Sequence, residues 1–81
     1  MKKTKRKTRG RHLPVIVSRG EDGFYIVQCP ALQGCFTQGR TLDEALKNIK
    51  EVIELCLEEK DGQEMADTFN AEDVSLHTVT V

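Results

Sequence analysis

No apolar run in the 81 residues approaches the roughly 18 consecutive residues that a membrane-spanning helix needs, so an anchor of that kind is excluded and a water-soluble chain is expected. The basic start does not behave as a signal peptide. It leads into only five residues, Leu13 to Val17, before Ser18 and Arg19, with no cleavage-like stretch, and export is not expected. Cysteine is scarce as well: Cys29, Cys35 and Cys56 are an odd number, which fits a reducing cytoplasm better than a disulfide framework. The β-rich runs Leu13 to Ser18, Phe24 to Cys29 and Val74 to Val81 contain no acidic residue, whereas two-metal nuclease chemistry needs acids converging from several strand ends. Gly34 and Gly39 are not followed by the Lys-Ser/Thr of a phosphate loop. The Cys29-x5-Cys35 spacing lacks the short knuckle of structural zinc sites, and nothing places His77 beside a thiol as a base. No catalytic residue, metal or cofactor is therefore assigned, and the chain reads as a protein that is not an enzyme.

Charge is present and unevenly placed. Lys2, Lys3, Lys5, Arg6, Lys7, Arg9 and Arg11 are seven of the twelve bases, with no acid among them, leaving five bases against all thirteen acids in the rest. Residues 1–12 have no apolar periodicity and read as a basic flexible arm, and residues 13–81 as one small anionic domain. A domain this small buries only about 60% of the surface its unfolded chain exposes, so a second copy of the chain is expected to help stabilise it.

Within the body, Leu13 to Ser18 and Phe24 to Cys29 flank a loop containing Asp22-Gly23, a hairpin signal. Pro30 ends the second run, and Gly34 turns the chain into a third short strand, Cys35 to Gln38. From Thr41 to Lys60, Leu42, Ala45, Leu46, Ile49, Val52, Ile53, Cys56 and Leu57 trace one helix face. Thr41 with Glu44 forms a capping box at its start, and Gly62 suits its stop. Gln63 to Asp73 reads as an irregular polar connection with Met65 and Phe69 as anchors, and Val74 to Val81 as a last strand. The order is β-β-β-α-β, an α+β fold with one helix on a small, mostly antiparallel sheet. One helix covers one sheet face, so the opposite face is expected to carry an exposed apolar patch, the mark of an interface and of a homo-oligomer.

The ungapped run from Gly23 to Ile49, with Tyr25 in the second strand, Pro30-x-Leu32-x-Gly34-Cys35 in the turn, Gln38-Gly39-x-Thr41 and Glu44-Ala45 on the helix, resembles the HicB antitoxin family. The resemblance covers about residues 13 to 81. It implies a partial RNase H-like fold without the catalytic acids of a true RNase H. It also implies a function: neutralising a HicA-type mRNA-cleaving toxin in a type II toxin-antitoxin pair. Longer members carry a C-terminal DNA-binding domain that represses their own operon; the present 81 residues hold none, so self-repression by that route is not expected.

Two functions follow as expectations. In the first, the acidic body binds a cationic toxin, and Glu51, Glu54 and Glu58, beside Glu44 on the exposed side of the helix, are the candidate partner-binding residues. In the second, the chain is a nucleic-acid-binding accessory protein whose seven arm cations contact phosphates.

Overall fold

The computed structural model describes residues 11–81. Its sheet has three antiparallel strands in the order β1-β2-β3: β1 (Ile16–Arg19), β2 (Tyr25–Gln28) and β3 (Phe36–Gly39). Two helices follow, α1 (Leu42–Cys56) and α2 (Lys60–Thr68), and then a 3-10 turn at Ala71–Asp73. The fold is α+β.

Local chemistry accounts for each connection. Between β1 and β2, Gly23 takes a positive φ of 88°, and the Asp22 carboxylate accepts from the Phe24 amide at 3.1 Å. Between β2 and β3, Gly34 takes a φ of 76°, and the Cys29 amide donates to the Cys35 carbonyl at 3.0 Å, which carries the ladder past Gln28. The predicted cap forms in its first half, Thr41 Oγ1 accepting from the Glu44 amide at 3.0 Å, while the Glu44 carboxylate reaches one residue further back than expected and accepts from the Arg40 amide at 2.6 Å in place of the Thr41 amide.

Register decides which sheet face meets α1. Val17, Val27 and Thr37 stand in one row and Arg19, Tyr25 and Gly39 in another, both on the helix side. Val27 is fully buried there beneath Ala45 and Ile49. The alternating set, including Ile26 and Phe36, faces away, and Phe36 stays 64% exposed. The core continues through Cys29, Ala31, Leu32 and Cys35 to Leu57 and Ala66.

The structure corrects the second half of the reading. The helix expected over residues 41–60 ends at Cys56, where Leu57 turns inward to become a buried core residue and the Glu58 and Glu59 amides close tight turns onto the Leu55 and Cys56 carbonyls. Gly62 does not stop a helix. It lies inside α2, where a Cβ would fall on the Cys56 carbonyl, so its lack of a side chain is what lets the two helices touch. Most of the segment read as irregular belongs to α2, whose Gly62, Met65 and Ala66, with Phe69 just past its end, form a short inward stripe. Gln63 Nε2 donates to the Leu57 carbonyl at 2.9 Å, and the Gln33 amide lies 3.5 Å from Met65 Sδ, tying α2 to α1 and to the β2–β3 turn. The last strand is not paired: Val74–Val81 lies exposed outside the sheet, so the order among the described residues is β-β-β-α-α.

Gly62→Ala is therefore expected to separate α1 from α2 and to cost about 1–3 kcal/mol, the usual range for overpacking. Urea unfolding followed by helical circular dichroism measures it, with Gly23→Ala, which meets no neighbouring atom but strains a positive φ, as the comparison.

Candidate functional site

The polar surface is built by the two helices and the turn joining them. From Glu51 to Asp73 the chain carries Glu51, Glu54, Glu58, Glu59, Asp61, Glu64, Asp67, Glu72 and Asp73, every one exposed, against a single base, Lys60. Of the predicted residues, Glu51 and Glu54 stand exposed on α1, three residues apart and hence on neighbouring positions of one face. Glu58 lies beyond the end of α1, in the turn. Glu44 is engaged in the capping box, which leaves it a structural task at the helix start.

The structure adds a feature that the sequence reading missed. Leu55, Cys56, Gly62 and Met65 floor a shallow cavity of about 330 Å³ whose rim carries Glu59 and Asp61, and Glu64 and Asp61 flank Met65 in the adjoining depression. An apolar floor inside an acidic rim suits a partner that offers an apolar side chain beside Lys or Arg. The signal was present in the spacing of residues 62, 65, 66 and 69, but a stripe that short is easily lost once Gly62 is taken as a terminator.

The basic residues divide. Lys2, Lys3, Lys5, Arg6, Lys7 and Arg9 lie outside the described residues. Arg11, expected in the flexible arm, is docked: its guanidinium is 2.8 Å from Asp67 on α2, and its side chain is only 21% exposed. The arm's last cation is thus held by the body's own charge, although an ion pair so open to water on the Asp67 side contributes less than about 1 kcal/mol. Arg19 stacks over the Tyr25 ring with 5.2 Å from guanidinium to ring centre.

Cys29 and Cys35 lie in the core, while Cys56 also reaches the floor of this cavity. Cys29 and Cys35 are buried and Cys56 half-buried, all as free thiols. Burial pushes the Cys29 thiol up, partly offset by the Ala31 and Leu32 amides. Burial, aided by neighbouring Cys56, pushes Cys35 from 9.0 up to about 12. A reactive cysteine needs the opposite shift. Among the described residues no group of three His, Cys, Asp or Glu is placed to hold a metal, and no helix is long and apolar enough to cross a membrane. His77 is exposed, with Nε2 2.6 Å from Ser75 Oγ.

These thiols give a pH test. Because the folded state holds the Cys35 proton to higher pH than the unfolded chain does, this contribution to stability is complete below pH 9.0 and is lost as pH rises toward about 12. Thermal unfolding between pH 8 and 11 should show a fall in stability that is shallower in Cys35→Ala.

Residues 13–78 match the family described as HicB-like antitoxin of bacterial toxin-antitoxin system. A UPF0150 protein of Thermoplasma acidophilum is 50% identical over 64 residues, covering 78% of this chain and 93% of its own. A UPF0150 protein of Archaeoglobus fulgidus is 39% identical over 64 residues, 79% of this chain and 93% of its own. One from Synechocystis is 58% identical over 45 residues, 56% of this chain and 65% of its own. No solved structure matches.

Proposed function

Since the chain belongs to the HicB-like antitoxins of bacterial toxin-antitoxin systems, we propose that it neutralises a cationic, HicA-type mRNA-cleaving toxin by occupying the surface with which that toxin grips RNA. The observation that carries this reading is the run of nine exposed acids from Glu51 to Asp73, opposed only by Lys60. A toxin that binds RNA presents Lys and Arg to phosphates, and a protein surface of exposed carboxylates competes for the same cations. Glu51, Glu54 and Glu58 steer the encounter, and the apolar floor around Leu55 and Met65 anchors the docked partner. No chemistry by this chain is needed, because exclusion of RNA suffices. The setting is the cytoplasm, where the toxin's mRNA substrate is found.

Reversing Glu51, Glu54 and Glu58 to Lys is expected to leave the fold intact, slow association with the cognate toxin about tenfold at low salt, and weaken the salt dependence of that rate. Stopped-flow association across a salt series measures both. An unchanged rate would remove Glu51, Glu54 and Glu58 from the docking surface; reversal of Glu59, Asp61 and Glu64 then tests the α2 rim.

A second reading rests on the charge asymmetry, in which seven bases precede residue 12. In it, Lys2, Lys3, Lys5, Arg6, Lys7 and Arg9 bind phosphates, Arg11 being held by Asp67 and not free to join them as the sequence suggested, and the chain acts as a nucleic-acid-binding accessory protein. Deleting residues 1–10, which keeps the Arg11–Asp67 pair, should change stability by less than about 0.5 kcal/mol while abolishing salt-sensitive binding to RNA or DNA. Extending the deletion through Arg11 should add a stability loss below about 1 kcal/mol.

The protein is also proposed to work as a homo-oligomer, because Ile26 and Phe36 remain exposed on the sheet face that neither helix covers.

A further inference from the structure

The segment Val74–Val81 has the composition of a strand, opens in extended backbone at Val74, and pairs with no strand among the described residues. Val74 has φ −114° and ψ 130°, and every residue from Asn70 onward is exposed, with Leu76 at 87% and Val79 at 78%. The segment carries no charged Asp, Glu, Lys or Arg.

The sheet offers two edges, and they are not equivalent. At β3, the Gln38 carbonyl already accepts from Asn48 Nδ2 at 2.9 Å, and the α1 backbone closes over Gly39. At β1, no hydrogen bond among the described residues reaches the outer edge. Beside that edge runs a groove of about 300 Å³ between the lead-in to β1 and α1, lined by Leu13, Val15, Leu46, Ile49, Ile53 and Leu57. Its rim mixes Arg11, Lys50 and Glu54, so the groove lacks the single charge sign that would draw a cationic toxin.

We propose that the β1 edge and its groove receive residues 74–81 of a second copy of this chain, which add a fourth strand to the sheet in trans. This reading rests on the self-association proposed above and goes further by assigning the surface. Backbone pairing supplies the hydrogen bonds that both segments lack, and the exchange is reciprocal, since each copy offers one free edge and one free strand. It also accounts for an oddity of the segment. Val74 and Leu76 share one face while Val79 and Val81 share the other, so the strand is apolar on both sides. A strand at the β1 edge needs that pattern, because one of its faces extends the helix-covered groove and the other extends the outer patch of Ile16, Ile26 and Phe36. An eight-residue strand reaches about 26 Å at about 3.3 Å per residue, more than the length of β1 and its lead-in from Leu13.

The test compares the full chain with the Leu76→Asp/Val79→Asp double variant by light scattering and sedimentation, with circular dichroism as the folding control. The expected result is a wild-type dimer and a folded variant whose self-association is weakened about 100-fold or more. A variant that stays as dimeric as wild type overturns the strand exchange and leaves the outer sheet face as the interface. A wild-type monomer at about 100 µM overturns both readings. Should the double variant fail to fold, NMR on a mixed-label wild-type sample decides: nuclear Overhauser contacts between residues 74–81 of one copy and β1 of the other support the exchange, and contacts only within one chain, or none, overturn it.

Discussion

The backbone of α1 touches the backbone of β3 at Gly39, and much of the molecule follows from that approach. A Cβ on Gly39 would stand 2.5 Å from the Ala45 amide nitrogen, so only glycine admits the helix this closely. The neighbouring polar groups hold the same position: Thr41 and Glu44 close the helix start, and Asn48 reaches back to the Gln38 carbonyl. Seated so near β3, a single helix covers β2 and β3 and leaves the β1 side open, with Val17 and Leu46 still exposed. The second close approach, Gly62 against Cys56, then folds α2 back toward the β2–β3 turn, where Met65 meets the Gln33 amide.

That seating separates two kinds of surface. Acids collect on the helical side and after it, from Glu51 to Asp73, with Leu55 exposed among them, while the outer sheet face and the final segment expose Ile26, Phe36, Val74, Leu76, Val79 and Val81. Charge acts over roughly a Debye length, about 8 Å at physiological salt, and speeds encounter with a cationic partner. Apolar surface acts only on contact and contributes in proportion to the area removed from water. Under the two proposals above, one side of this 81-residue chain meets a partner of opposite charge and another is completed by its own copy. Cys29 and Cys35 take part in neither: both are buried, and burial raises their pKa, so they serve as small core residues between the strands and helices, whereas Cys56 reaches the cavity floor beside Leu55 and Met65.

The parts legible in the sequence were those set by short-range chemistry. Asp22-Gly23 and Gly34 mark turns because a positive φ suits glycine, the capping box marks the helix start because its partners lie three residues apart, and Tyr25 with the turn and helix motifs marks the family. The outer apolar face followed from alternation, though not which set would be outermost, since Phe24, Ile26 and Tyr25, Val27 are equally apolar.

Tertiary contact decided the rest. Gly62 reads as a helix stop by local propensity, yet the packing of α1 on α2 uses it as a point of contact, and a continuous apolar stripe through Leu57 concealed the break because an inward-turning leucine keeps the pattern going. Arg11 belongs to a run of cations by sequence and to the body by its pairing with Asp67, 56 positions away along the chain. The final segment has strand composition, which sequence determines, but a strand exists only where an edge receives it. The free edge of β1, and with it the question of which chain fills it, arises only when the helix is seated over β2 and β3.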